Sequence, residues 1–188
     1  AAGWHIEHVE LHFTDRKPDH PSAPPTIDPL IREVAPEIVV TGKIDRVDRH
    51  LDGRRYAYDY KTGNDGSKTA EKAHRTVLKD GEIRWHDLQL PLYRQRLLED
   101  GTGEVDVGYI LLPQHLKKTR VDPLDWDLSD FDLASKCVDE ILIRLSTLVT
   151  SPLTDSELED QGAYDRDRFG VLWGNGIRSV DAEDEELE

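Results

Sequence analysis

Two short segments of this 188-residue chain hold carboxylates and a lysine at spacings that suit metal-assisted chemistry. Asp45 lies in the segment GKIDR, and Asp59 and Lys61 lie in the segment DYK. Residues i and i+2 of a strand share a face, so Asp59 and Lys61 project together, and a bent or open hairpin lets Asp45 converge on them. Two carboxylates suit Mg²⁺, which keeps several waters, and a lysine beside it holds or deprotonates a water and offsets phosphate charge.

The competing interpretation of Asp-x-Lys is a solvated ion pair on a strand, which contributes little energy. The surrounding residues weaken it, since Val39 and Val40 precede the first acid, and Tyr56, Tyr58 and Tyr60 alternate through the second segment. Burial of one side of these strands gathers the acids and the lysine at one end.

Hydrophobic periodicity predicts the elements that position these groups. Strands are expected over 4–13, 37–50, 55–61 and 105–112, with an Asp-Gly turn after the second. Helices are expected over 86–99 and 128–149, the latter with Leu128 turned inward, and 67–79 is basic and helix-compatible. Strands with intervening helices indicate an α/β fold around a mixed sheet.

Composition sets the boundaries of the domain. Residues 14–36 hold six of the ten prolines and predict an irregular loop, while 181–188 hold six acids and predict a disordered tail.

No apolar run is long enough for a membrane helix. The single cysteine, Cys137, excludes an internal disulfide framework, a cysteine-based zinc site and a cysteine-ligated iron–sulfur cluster, and fits a cytoplasmic location.

The net charge of −15 argues at first against a nucleic-acid partner. The acidity is uneven, however. Residues 122–188 carry 5 basic and 19 acidic side chains, whereas 43–96, the basic middle segment, carry 13 and 9. We expect this segment to form an electropositive face around Asp45 and Asp59, with binding to single-stranded DNA that weakens steeply with salt.

The order and spacing of three motifs, GKIDRVDR, YDYKTG and QLPLY, resemble the RecB-like nuclease domain across residues 42–93. This domain, found in RecB and AddB subunits, is a branch of the PD-(D/E)xK superfamily. The resemblance implies a restriction-endonuclease-like core, a central mixed β-sheet flanked by α-helices, spanning 1–180. It also implies a DNA nuclease dependent on Mg²⁺, with Mn²⁺ as a substitute.

The resemblance assigns roles residue by residue. Asp45 and Asp59 would bind the metal together with the backbone carbonyl of Tyr60, and Lys61 would be the catalytic lysine. Gln89 and Tyr93, at positions i and i+4 of one helix, would contact DNA and support the site. The alternative for the last two is an ordinary pair on a helix surface.

The implied context is the exonuclease module of a helicase–nuclease or of a DNA-repair or recombination protein. DNA, single-stranded or at a duplex end, and a helicase module would be its partners. The family has an upstream helix with a His or Glu ligand that we expect this fragment to lack, so the isolated fragment is expected to be weakly active or inactive. Two alternatives keep the fold: a catalytically inactive DNA-binding scaffold and a restriction-type endonuclease.

Overall fold

A mixed sheet forms the centre of the computed structural model, which describes residues 3–18, 20–62, 70–79, 81–101, 103–150 and 177–179. In chain order the elements are β1 (Trp4–Phe13), β2 (Thr26–Ile27), β3 (Leu30–Arg32), β4 (Ala35–Val40), β5 (Gly42–His50), β6 (Arg55–Lys61), α1 (Ala70–His74), β7 (Arg75–Val77), β8 (Ile83–Trp85), α2 (Gln89–Glu99), β9 (Val105–Leu111), a 3₁₀ turn (Leu116–Lys118), β10 (Arg120–Pro123), α3 (Leu128–Thr150) and β11 (Ile177–Ser179). The tail at 181–188 lies outside the described residues.

Six strands form the main sheet, in the order β10-β9-β6-β5-β1-β2. The β5–β6 pair is an antiparallel hairpin, whereas β6 and β9 are parallel, so the chain crosses back through α2 between them. The crossover helix packs leucines against the sheet, and α3 packs near β4 and α2. The predicted α/β architecture, a mixed central sheet with flanking helices, is therefore confirmed.

The predicted strand over 37–50 is wrong in one respect, because Thr41 divides it between two sheets. β4 pairs with β3 and β11 in a separate three-stranded sheet, and β5 belongs to the main sheet. A Cβ at Gly42 would come within 2.3 Å of the Phe13 ring, so glycine allows that buried ring to pass beside the chain where the strand changes sheet. The predicted loop over 14–36 likewise contains β2, β3 and the start of β4.

The helix predictions hold in position and fail in detail. α2 and α3 lie where they were expected, but Leu128, predicted to face inward, is 70 % exposed because it is the first residue of its helix. Of the basic stretch 67–79 the structure describes 70–79, where α1 covers Ala70–His74 and β7 follows at once. None of the described helices has the length and hydropathy to cross a membrane.

Candidate functional site

The hairpin of β5 and β6 opens at the end that carries the predicted acids. The paired register ends at Arg46 opposite Tyr58, and Asp45 and Asp59 are the next residues on their strands. Beyond that point the backbone N–H of Tyr60 donates to the Asp45 side chain, at 2.9 Å from Oδ2, instead of to a backbone carbonyl of β5. The side chain of Tyr60 is 37 % exposed on the opposite face, as the strand period predicts.

Asp59 and Lys61 form the centre of the site. The Asp59 side chain is only 7 % exposed, and its Oδ2 lies 2.8 Å from Lys61 Nζ. The lysine is 40 % exposed and also donates a hydrogen bond to Gln89 Oε1 at 3.2 Å. The ammonium group is thus held between a strand carboxylate and a helix amide, with part of its surface open to solvent.

Gln89 and Tyr93 lie one turn apart on α2 and are bonded to each other. Gln89 Nε2 donates to the Tyr93 hydroxyl at 2.6 Å, and that hydroxyl donates to the Lys43 carbonyl. The amide of Gln89 therefore has its oxygen toward Lys61 and its nitrogen toward Tyr93. Both residues lie beside Lys61 and Lys43, Tyr93 in a buried position, and the contact with DNA assigned to them stays a prediction.

Burial dominates the electrostatics of the two innermost groups. It raises the pKa of Asp59, as does the charge of Asp45, while the ion pair with Lys61 opposes both. Burial likewise raises the pKa of the Tyr93 hydroxyl, and the Asp59 carboxylate adds to the effect. A buried carboxylate with a second carboxylate nearby favours the approach of positive charge.

Glu10 of β1 also lies at the site. At this residue the alternation of buried and exposed side chains along β1 is interrupted. Its φ of 55° is unusual for a residue other than glycine, and it separates the exposed Val9 from the buried Leu11. Lys43 Nζ lies 3.3 Å from Glu10 Oε1 and 3.8 Å from Asp45 Oδ1. The sequence motifs did not identify Lys43, and the left-handed backbone at Glu10 has no signal in the sequence.

Three further residues around Lys61 were also missed. Asp87 Oδ1 accepts the Gln89 N–H at 2.7 Å and so satisfies a donor at the start of α2. His74 and Tyr109 are buried and hydrogen-bonded to each other. An acid just before a helix is a recognisable capping signal for Asp87, whereas nothing in the sequence marks the other two.

The donor chemistry of these residues fits a hard divalent cation. Asp45, Asp59 and the Tyr60 carbonyl offer oxygen ligands, and within the described ranges Asp59 Oδ2 accepts no hydrogen bond of good geometry despite its ion pair with Lys61. The same ranges contain no group of three or more His, Cys, Asp or Glu side chains arranged to hold a metal ion. Two carboxylates suffice for Mg²⁺ when waters and a substrate phosphate supply the remaining ligands.

Several cations of the basic middle segment are paired with acids from outside it. Arg55 Nε donates to Glu7 Oε2 at 2.8 Å, and Arg96 Nη1 donates to Asp100 Oδ1 at 2.9 Å. The local excess of cations is therefore smaller at the surface than the sequence suggests. The salt dependence of DNA binding stays a prediction.

Similarity to known proteins is detected at the level of the superfamily. No curated protein and no solved structure gave a significant match. A profile of the PD-(D/E)XK nuclease superfamily, in contrast, matches residues 1–182, nearly the whole chain. The chain therefore belongs to the PD-(D/E)XK nuclease superfamily.

Proposed function

We propose that this protein is a divalent-metal-dependent nuclease that hydrolyses phosphodiester bonds of DNA. One observation carries the proposal: Lys61 is held between Asp59 and Gln89 at the point where β5 and β6 separate beside Asp45. In the hydrolysis a water adds to phosphorus, and the bond from phosphorus to the leaving oxygen breaks.

The residues divide this work between them. Asp45, Asp59 and the Tyr60 carbonyl would hold the metal, which when bound supplies Lewis-acid stabilisation of phosphate charge. Lys61 donates hydrogen bonds toward the exposed side of the site, where it positions water and offsets the charge that develops on the phosphate oxygens. Gln89 fixes the direction of that ammonium group, and Tyr93 fixes the direction of the Gln89 amide.

The RecB-like branch of the superfamily is a finer proposal. Its support is the Gln89 and Tyr93 pair, which matches the branch's spacing and contacts both the catalytic lysine and the carbonyl of Lys43. Under this proposal the substrate is single-stranded DNA or a duplex end. Association with a helicase module stays a prediction of the resemblance alone.

A cleavage assay tests the proposed function. The full-length wild-type protein is expected to degrade linear DNA with Mg²⁺ or Mn²⁺ and to stop when EDTA is added, whereas Lys61→Ala in the same full-length protein is expected to abolish cleavage and keep the circular-dichroism spectrum. Lys136→Ala, which removes an exposed lysine of α3, is the matched control and should cleave as wild type does.

Two outcomes would contradict the proposal. Equal cleavage by wild type and Lys61→Ala would remove Lys61 from the mechanism. DNA binding without cleavage by the wild type, on any DNA and with either metal, would favour the catalytically inactive scaffold.

A further inference from the structure

His74 is the most deeply buried polar or charged side chain in the part of the chain that the structure describes, with no exposed surface. It ends the short helix α1, and its own carbonyl accepts the backbone N–H of His86 at 2.8 Å. Burial lowers the pKa of its imidazole, so the ring is neutral at neutral pH. A neutral buried imidazole has one donor and one acceptor, and each needs a partner.

Both ring nitrogens of His74 have such a partner, and the partners fix the tautomer. Nδ1 lies 2.8 Å from the backbone carbonyl of Asp87, which can only accept, so Nδ1 carries the proton. Nε2 is then the acceptor, and the Tyr109 hydroxyl, 2.9 Å away, donates to it. The two rings also stack, with centroids 5.6 Å apart and planes 28° from parallel.

Both hydrogen-bond partners of His74 are connected to Lys61, one directly and one through Gln89. The ammonium group of Lys61 lies 5.0 Å from the centroid of the Tyr109 ring, within the range of a cation–π interaction. On the other side, Asp87 accepts the backbone N–H of Gln89, whose side-chain oxygen accepts a hydrogen bond from Lys61. One imidazole thus orients the ring beside the lysine and the start of the helix that holds it.

We propose that His74 is a positioning residue for Lys61, acting through Tyr109 on one side and through Asp87 and Gln89 on the other. The inference rests on the proposed function, since Lys61 is the group that would act on the phosphate. His74 itself is buried and would not touch the substrate.

Kinetics of two variants that break the same hydrogen bond test the Tyr109 branch. His74→Asn places an amide nitrogen near the position of Nδ1 and loses the acceptor at Nε2, while Tyr109→Phe keeps the ring and removes its hydroxyl. Each is expected to lower kcat by about tenfold with KM unchanged, because small misplacements of a catalytic group have effects of at least this size. The double variant should be no slower than either single one.

The matched control is His86→Asn. His86 lies in the same region but is exposed, and its ring has one hydrogen bond, 2.8 Å long, to the Thr76 hydroxyl. Its kcat is expected to equal that of wild type. Multiplied losses in the double variant, or a raised KM with unchanged kcat in both single variants, would overturn the proposal.

NMR provides a readout that does not depend on activity. In protein labelled with ¹³C-lysine, the side-chain resonance of Lys61, identified with Lys61→Arg, should carry the ring-current shift of Tyr109. Tyr109→Phe and His74→Asn should both change this resonance and leave the other lysines in place, and Tyr109→Leu should remove the shift.

An unchanged Lys61 resonance in both His74→Asn and Tyr109→Phe would refute the link to His74. If the wild type cleaves no DNA, the proposed function fails, yet the NMR comparison still decides the link. Thermal unfolding of each variant identifies any that fail to fold. Tyr109→Phe keeps the packed ring and is therefore expected to disturb folding least.

Discussion

Replacing Tyr93 by phenylalanine removes a single oxygen atom that makes two hydrogen bonds at the centre of the site. The hydroxyl accepts from Gln89 Nε2 and donates to the Lys43 carbonyl, and the side chain is 1 % exposed. The phenyl ring keeps its edge-to-face contact with Phe13, whose centroid lies 6.2 Å away. The change therefore isolates the hydroxyl from the packing of the ring.

The expected loss of stability follows from those two bonds. Each hydrogen bond contributes about 1 kcal/mol to the free energy of unfolding, so Tyr93→Phe should lower it by about 2 kcal/mol. For a protein of this size that corresponds to a fall of about 4–8 °C in Tm. Without the hydroxyl the Gln89 amide can also turn away from Lys61, so kcat should fall by about tenfold or more.

Differential scanning calorimetry and a cleavage assay measure the two effects of Tyr93→Phe. Tyr58→Phe, on the face of β6 opposite Asp59, is the matched control and should leave both Tm and kcat unchanged. An unchanged Tm in Tyr93→Phe would refute the hydrogen-bond argument. A lowered Tm with an unchanged kcat would show that the Gln89 amide does not direct Lys61.

Three further predictions concern stability and its pH dependence. Burial raises the pKa of Asp59 in the folded state, so the folded protein binds that proton more tightly than the unfolded chain does. Stability therefore falls as pH rises from the ordinary pKa of 3.8 through the raised one. Asp59→Asn should raise Tm at neutral pH by an amount that shrinks on acidification, which thermal melts across pH would check. Gly42→Ala should lower the free energy of unfolding by about 1–3 kcal/mol in urea titrations, since the new methyl group meets the Phe13 ring. Leu142→Ala should cost about 2–5 kcal/mol as a fully buried residue, whereas Leu128→Ala, at 70 % exposure, should leave the urea midpoint unchanged.

The predictable part of the structure is the part set by local pattern. The hairpin of β5 and β6 has a turn signal and alternating apolar residues, and α2 has leucines at helical spacing, so both lie where the sequence places them. The assignment of Asp45, Asp59 and Lys61 to one region needed only the strand period and the expectation of an open hairpin.

The remainder depended on contacts between distant residues. Nothing in the run of β-branched residues before Gly42 indicates a change of sheet, and the ring of Phe13, which packs against Gly42 at that point, comes from far away in sequence. His74 carries no motif, and its role is visible only when β9 brings Tyr109 against it. The ion pairs that compensate the basic middle segment join residues as distant as Glu7 and Arg55.

The connectivity of the main sheet has a consequence for the order in which the site assembles during folding. The β5–β6 hairpin pairs residues that are close in sequence, such as Arg49 and Arg55. The pairing of β6 with β9 begins with Arg55 and Val105, which are far apart in sequence, so it requires the intervening crossover to close first. Local hairpins form in about 1–10 μs, and pairings across long loops form later. The two acids are therefore carried by the most local element. The helix α2, which packs on both β6 and β9, joins them later, so substitutions in the hairpin should mainly slow folding and substitutions in β9 should mainly speed unfolding.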